Sequence, residues 1–339
     1  MKIAVVGCGN VSRMHFKALD ENPDTEIVAV ADIKPERADE KAGTYGAKAY
    51  YDFDELLNCE ELDAIHICTP HYLHTPMAIK ALKKGINVLL EKPCSVSIRE
   101  IEELRNAEKA SGKQLGICFQ NRYNACVRNA KSIIDSVEMG KIKAVRAFVT
   151  WNRGVDYYSD DWHGTLEKEC GGVLINQSIH TMDLVQYLGG KCKKVTAHVS
   201  NDHLKGIIEV EDTASALLEL ENGVTAVFYA TLAYGENSEV FIEITLEKGK
   251  LRLEGEKLYS IGDDGKLNEI TAKPDVVYHG QNYWGSGHSV LIDDYYYCLK
   301  SGEKFEIDGV DGGRAAQIVA ACYESSKSGT AIEITEGAN

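Results

Sequence analysis

The sequence predicts an α/β fold in two parts, a doubly wound parallel sheet over residues 1–120 and a mostly antiparallel sheet with a few helices over residues 121–339. Three observations predict it. In the first part, short apolar runs rich in branched residues alternate with segments of helical spacing, the pattern of βαβ units. Beyond Lys143 the strand-like runs follow one another directly, with Asn222-Gly223 and Asp264-Gly265 between them as tight turns. The length of 339 residues, 44% hydrophobic and 26% charged, suits two ordinary domains with packed cores and leaves no room for a collagen-like or disordered chain.

Taken in order, the first strand is KIAVV, and EIVAVAD, AIHICT, NVLLE and QLGICF follow as the other members of the parallel sheet. The helices between them are read at 12–20, 35–45, 72–84 and 97–111, the last with Ser97 three residues before Glu100 as a capping box. Right-handed crossovers then make the sheet parallel. In the second part the strands are VRAFVTW, VTAHVS, TASALLELENGVTAVFYA, VFIEITLEKGKLRLEG and LYSIGDDGKLNEI, with helices at 173–188, 288–300 and 312–327. No repeat or low-complexity linker interrupts the chain, so the boundary near residue 120 is a change of topology.

A formal net charge of -15 and a pI near 5.2 exclude general affinity for nucleic-acid backbones or anionic membranes, because both need a basic face. Small-molecule chemistry is favoured. No stretch of about 18 apolar residues occurs, and MKIAVVGCGN lacks the features of a signal peptide, so a cytoplasmic location is expected. The 10 cysteines are scattered singly with no C-x-x-C pair. They read as buried thiols of a reducing compartment, without a disulfide frame or a metal cluster.

The strand KIAVV runs into Gly7-Cys8-Gly9-Asn10-Val11-Ser12 and then a helix, which is the dinucleotide fingerprint of a Rossmann domain with Ser12 at its third small position. Gly7 permits the tight turn, Gly9 lets backbone approach the pyrophosphate, and the helix N-terminus offers N–H groups to it. Asp32 ends the second strand, where a carboxylate accepts from ribose hydroxyls and repels a 2′-phosphate. NAD is therefore the expected cofactor, with Lys34 and Arg37 keeping NADP as the lesser alternative.

Ligands of open α/β sheets bind beyond the carboxyl ends of the strands, which places the turns at Thr69-Pro70-His71 with His74, and at Glu91-Lys92-Pro93, beside the cofactor. His71 and His74 have metal-ligand spacing, but no carboxylate or cysteine beside them completes a set, so no metal is expected. Lys92, held between Glu91 and a proline, can donate to a substrate hydroxyl or to the oxygen of a forming ketone.

With these residues the chain resembles the Gfo/Idh/MocA family of NAD(P)-dependent sugar and cyclitol oxidoreductases over nearly its whole length. The matching blocks are VVGCGNVSRMH, ICTPHYLH, LLEKP and GGVLINQSIHTMDLVQYLGG, supported by DGGRAAQIVAACYESSKSG. The resemblance implies a Rossmann domain, then a substrate-binding and oligomerisation domain whose open antiparallel sheet often makes the subunit interface, with the last helix packing back on the first domain. It implies Lys92 as the catalytic or substrate-positioning lysine and His180 as the proton-transfer residue. Asn176, His180 and Asp183 stand at i, i+4 and i+7, along one helix face. Asn176 stands where many family dehydrogenases carry an aspartate, and Asp183 either orients His180 or packs inside the domain.

Arg122 and Tyr123 match a pair that borders the family site. Trp162 and His163 belong to an aromatic and polar block suited to sugar faces, although the family often has arginine where His163 stands. The cluster Gln281-Asn282-Tyr283-Trp284 is either a far wall of the site or an ordered hairpin. The reaction so implied is reversible oxidation of a secondary alcohol on a sugar, sugar derivative or cyclitol by a homodimer or homotetramer. A redox-cycling lyase or glycosidase with tightly held NAD, and a non-catalytic NAD-dependent sensor, are the alternatives.

Overall fold

A computed structural model of the chain describes residues 1–262, 264–271 and 287–334. It divides into two compact units, one of Met1–Phe119 with His288–Gly313 and one of Gln120–Gly287 with Arg314–Asn339.

The first unit is built on a six-stranded parallel sheet of β1 (Lys2–Val6), β2 (Glu26–Ala31), β3 (Lys48–Tyr50), β4 (Ala64–Ile67), β5 (Asn87–Glu91) and β6 (Leu115–Cys118). Their order is β3-β2-β1-β4-β5-β6, so the winding reverses between β1 and β4, the switch point at which such sheets bind ligands. The helices are α1 (Ser12–Glu21), α2 (Pro35–Tyr45), α3 (Phe53–Cys59), α4 (His71–Lys83) and α5 (Ile98–Ser111). Ser97 caps α5 by accepting from the Glu100 N–H at 3.3 Å, as its spacing predicts. The sequence reading passes over β3 and α3. A three-residue strand carries no period, and α3 is announced mainly by Asp52, whose carboxylate accepts from the Glu55 N–H at 2.8 Å.

The helix Gly287–Ser301 and the segment after it supply the rest of this unit from residue 288 onward. Tyr295 and Tyr296 are fully buried, Tyr295 lies edge-on to Phe305, and the Ile117 N–H bonds to the Ile307 carbonyl at 2.8 Å. The segment 288–313 thus groups with the Rossmann unit. The physical reason is where the apolar bulk lies, since these buried tyrosines complete the core beside β6.

The second unit carries α6 (Ala125–Asp135), β7 (Ile142–Thr150), α7 (Ile179–Gly189), β8 (Cys192–Ser200), β9 (Thr213–Leu220), β10 (Thr225–Thr231), β11 (Phe241–Leu246), β12 (Gly249–Glu254), β13 (Lys257–Ile261), β14 (Leu267–Glu269) and β15 (Ile332–Glu333). With α8 taken as Gly287–Ser301, its last helix is α9 (Gly313–Ser328). The sheet order is β14-β13-β12-β11-β7-β10-β9-β8-β15, antiparallel throughout except for the parallel neighbours β7 and β10. It is therefore a mixed sheet. α6 and α7 pack on it, and the strands alternate accordingly, with Ala214, Ala216, Leu218 and Leu220 of β9 buried between exposed neighbours. The edge at β8 is closed partly by β15 and partly by the hydroxyls of Ser325 and Ser326, which accept from the Ala197 and Val199 N–H groups.

All ten cysteines are free, with Cys59 exposed, Cys170 half-buried and the rest buried. No helix among the described residues is long and apolar enough to cross a membrane. Gln281 to Trp284 lie outside the described residues.

Candidate functional site

At the end of β1, Gly7 takes φ +85°, and a Cβ there would stand 2.5 Å from the Cys68 carbonyl oxygen, so both conformation and space demand glycine. Gly9 faces open space, with nothing within 4 Å of an added Cβ. Helix α1 has no side-chain cap, because its N-cap is the apolar Val11, and the Ser12 hydroxyl donates back to the Gly9 carbonyl. Its N-terminal N–H groups are thus left to an anion, and the turn fits the pyrophosphate of a dinucleotide. Asp32 closes the loop from the side by accepting from the Cys8 N–H and the Lys34 N–H, both at 2.8 Å. Asn10 lies exposed and Val11 half-buried beside it, while burial, with Asp32 next to it, pushes the Cys8 thiol up to about 12. Cys8 therefore offers backbone rather than thiolate chemistry.

The turns after β4 and β5 are tied together by His74, which is buried with Nδ1 2.7 Å from the Pro93 carbonyl oxygen and Nε2 2.7 Å from that of Thr69. Carbonyls only accept, so the clamp is complete when both ring nitrogens carry protons, and burial works against that charge by lowering the pKa. His74, expected among the cofactor contacts, braces the turns that carry Thr69, Pro70 and Lys92. Its two nitrogens are committed, which removes it as a metal ligand with His71.

Glu91 is likewise turned inward. It is 4% exposed and accepts from His15 Nε2 at 2.9 Å and from the Lys92 N–H at 3.2 Å. Burial opposes its ionisation, yet the hydrogen bond from His15 and the positive charge of Lys92 nearby hold the carboxyl well below the usual range. Behind it runs a buried chain, His15 Nδ1 to His66 Nδ1 at 2.8 Å and His66 Nε2 to the Tyr296 hydroxyl at 2.7 Å. Neutral tautomers satisfy every link: Tyr296 donates to His66, His66 to His15, and His15 to Glu91. His15, Glu91 and Cys118 also bring ligand atoms within 4.8 Å of one another. Burial raises the Cys118 thiol well above its ordinary value, which works against ligation because the thiolate is the ligand. Lys92 itself is half-buried at the mouth of this turn, and its peptide bond to Pro93 is cis.

In the second unit the expected single helix over 173–188 is broken. Val173–Gln177 form a π-helical turn, Ser178 leaves helical geometry, and α7 begins at Ile179. The Ser178 N–H and hydroxyl both bond to the Val173 carbonyl, at 2.8 and 2.7 Å, which closes the wider turn. The buried Glu211 carboxylate caps its start by accepting from the Gly172 and Leu174 N–H groups at 2.9 Å and from the Tyr323 hydroxyl. A Cβ on Gly172 would meet the Glu211 carbonyl oxygen at 2.0 Å, so this approach requires glycine. Asn176 therefore does not continue the α7 face of His180 and Asp183.

Three pairings follow. Asp183 takes Arg122 bidentately, at 2.7 and 2.6 Å, with both side chains buried. These two, expected at the substrate, are engaged with each other and anchor α7 to the turn at 120–123. His180, half-buried, has Nε2 3.4 Å from the Gln120 amide nitrogen, which donates to it and leaves Nε2 as the basic nitrogen of a neutral ring. Asn176 donates to the carboxylate of Glu169, itself buried, and approaches the Tyr157 hydroxyl at 3.5 Å. Tyr123 is buried with Arg128 over its ring at 4.7 Å. The Trp162 and His163 rings lie tilted with centroids 3.8 Å apart, the Tyr157 ring lies 4.7 Å from that of His163, and Asp160 accepts from His163 Nδ1.

The N-terminal model of an oxidoreductase family with an NAD-binding Rossmann fold matches residues 1–119, and the GFO/IDH/MocA C-terminal domain matches residues 127–252. The chain belongs to the Gfo/Idh/MocA family. Its first unit is an NAD-binding Rossmann domain, in keeping with the turn described above. Among curated relatives, a glucose-6-phosphate 3-dehydrogenase of Bacillus subtilis (strain 168) is 29% identical over 55% of this chain and 53% of its own, about half of each. A D-apiose dehydrogenase of Paraburkholderia graminis is 24% identical over 98% of this chain and 89% of its own. Among solved structures, the WlbA dehydrogenase of Bordetella pertussis, in complex with NADH and UDP-GlcNAcA, is 28% identical with a TM-score of 0.86, covering 98% of each chain.

For a Gfo/Idh/MocA member, several site residues here escape a reading by motif. Gln120 and Gln177 are 3% and 7% exposed, and each has a side-chain oxygen with no hydrogen-bond partner among the described residues. Asp160 was legible only as the residue three before His163. Nothing in the local sequence marks His15, His66 and Tyr296 as one chain, because they come from α1, β4 and α8.

Proposed function

We propose that the protein is an NAD-dependent dehydrogenase that oxidises a secondary alcohol of a sugar, sugar derivative or cyclitol, in either direction. The observation that carries this reading is the pair of buried carboxamide oxygens of Gln120 and Gln177, one beside His180 and the other just before α7. An acceptor buried without a donor is costly, and a polyhydroxylated ligand brings donors. NAD, when bound, supplies the hydride acceptor. Lys92 donates to the reacting oxygen and stabilises its developing charge, while His180 Nε2 takes the hydroxyl proton directly or through water. Trp162, His163 and Asn176 contact the substrate, and Arg122, Tyr123 and Asp183 hold the elements that present it.

Incubating the protein with NAD and a panel of sugars, cyclitols and nucleotide sugars, following absorbance and product mass, tests this. NADH should accumulate one for one with an oxidised product. Turnover without net NADH would replace the reading by a redox-cycling lyase or glycosidase, and binding without turnover by a sensor.

On the cofactor side, the same reading has the Asp32 carboxylate accept from ribose hydroxyls, with Ile33, 80% exposed, offering apolar surface next to it. NAD should bind more tightly than NADP, and Asp32→Ala should narrow the difference. Calorimetric titration of both cofactors checks it, and equal or tighter NADP binding by the unaltered protein would remove Asp32 from this role.

A homo-oligomer is part of the same proposal. Leu217, Val227 and Tyr229 are 49%, 43% and 36% exposed, and their strands pair so that Leu217 lies opposite Val227 and Ser215 opposite Tyr229. An apolar strip on an otherwise polar face is normally buried by a partner. Light scattering at micromolar concentration should give the mass of a dimer or tetramer, and a monomer mass would count against it.

A further inference from the structure

We propose that His15 is a positioning residue for the reaction: through Glu91 it ties the helix that receives the cofactor pyrophosphate to the turn that carries Lys92, and His66 and Tyr296 fix the direction of that tie. This rests on the dehydrogenase reading above, in which Lys92 has to stand at a set place relative to NAD. Helix α1 starts at Ser12, directly after the fingerprint turn, and His15 lies in its first turn with no exposed surface. Glu91 is the last residue of β5. Its Oε1 accepts from His15 Nε2 at 2.9 Å and its Oε2 from the Lys92 N–H at 3.2 Å. One carboxylate thus holds the cofactor helix with one oxygen and the backbone of the lysine with the other.

The direction of the chain follows from what each group can donate. An ionised carboxylate only accepts, so His15 carries its proton on Nε2 and presents a lone pair at Nδ1. His66 Nδ1, 2.8 Å away, donates to that lone pair, and the Tyr296 hydroxyl, 2.7 Å from His66 Nε2, donates to the next. Burial lowers the His66 pKa and keeps the ring neutral, as this arrangement requires. The opposite proton placement would set a lone pair of His15 against the Glu91 carboxylate. A buried polar chain with every link made specifies one arrangement of the side chains it joins. A looser turn would leave Lys92 about an ångström out of place, which costs rate more than it costs binding.

The test uses the whole protein with NAD and, as first probes, scyllo-inositol and glucose 6-phosphate, followed by the panel compound turned over best. His15→Leu should lower kcat about tenfold or more, with KM for the substrate and NAD affinity each within about threefold of the unaltered protein. His15→Gln, which keeps an N–H donor near the place of Nε2, should return kcat to within about threefold. In the Lys92→Ala background His15→Leu should cost nothing further, because it acts through Lys92; a general loosening of the fold would cost the same in both backgrounds. If His15→Leu does not fold, Tyr296→Phe carries the test: it keeps the ring, leaves His66 Nε2 without its donor, and should lower kcat about fivefold with KM unchanged, again only where Lys92 is present. Nitrogen NMR of the cofactor-free protein should find the proton of His15 on Nε2 and that of His66 on Nδ1. An unchanged kcat in a folded His15→Leu, an equal loss with and without Lys92, or a bare Nε2 on His15 would each overturn the positioning role while leaving the dehydrogenase reading intact. If the unaltered protein binds NAD but oxidises no member of the panel, both fall together.

Discussion

Asp183→Ala should destabilise the second unit by about 3–5 kcal/mol, the scale for removing one partner of a buried ion pair. Asp183 is fully buried and Arg122 is 4% exposed, so the guanidinium left behind has no route to water without opening the packing around α7. Arg122 also lies over the Tyr187 ring at 4.7 Å, which fixes it further. The pair itself need not be worth that much, since two desolvated charges repay their burial only in part. Asp183→Leu combined with Arg122→Met should therefore recover much of the loss. Thermal and urea unfolding of the cofactor-free protein read both outcomes. A single variant with an unchanged transition would show that the pair is dispensable, and a double variant no better than the single one would point to a role beyond charge compensation.

Lys92→Ala and His180→Ala should each lower turnover by about a hundredfold or more, the scale of losing a positioned acid, base or charge stabiliser. Neither should behave like Asp183→Ala in unfolding, because both side chains are only half-buried. NAD affinity should hold in His180→Ala, whose residue belongs to α7 of the second unit, while the fingerprint turn belongs to the first. Steady-state kinetics on the panel substrate, with NAD titrations beside it, separate the two effects. A His180 variant with near-normal turnover and a lowered unfolding temperature would make His180 a packing residue and send the proton elsewhere.

How much of this was legible along the chain depends on how local the cause is. Gly7 must be glycine because its own φ is positive, Ser97 caps α5 through an N–H three residues on, and the β9 strand shows its buried face in its own alternation. Periodicity and turn chemistry record such facts, so the parallel sheet, the order of most helices, the fingerprint and its family were readable from the residues alone. Lys92 and His180 are proposed from motifs that travel with them.

What the sequence could not decide are contacts whose partners are far apart in it. The spacing 176, 180, 183 reads as one helix face, but Glu211, some thirty residues on, caps a π-helical turn and Ser178 ends it, so Asn176 points to Glu169 while Asp183 goes to Arg122. The inward turn of Glu91 depends on histidines from α1 and β4 and a tyrosine from α8, and the return of 288–313 to the Rossmann unit depends on where Tyr295 and Tyr296 find apolar cover. The sequence by itself determined the folds of the two halves, the cofactor turn and the identity of the chemical groups. Only the tertiary structure decided which of those groups are engaged with one another, because a buried charge or amide takes whichever partner the fold brings within about 3 Å, and sequence distance carries no record of that.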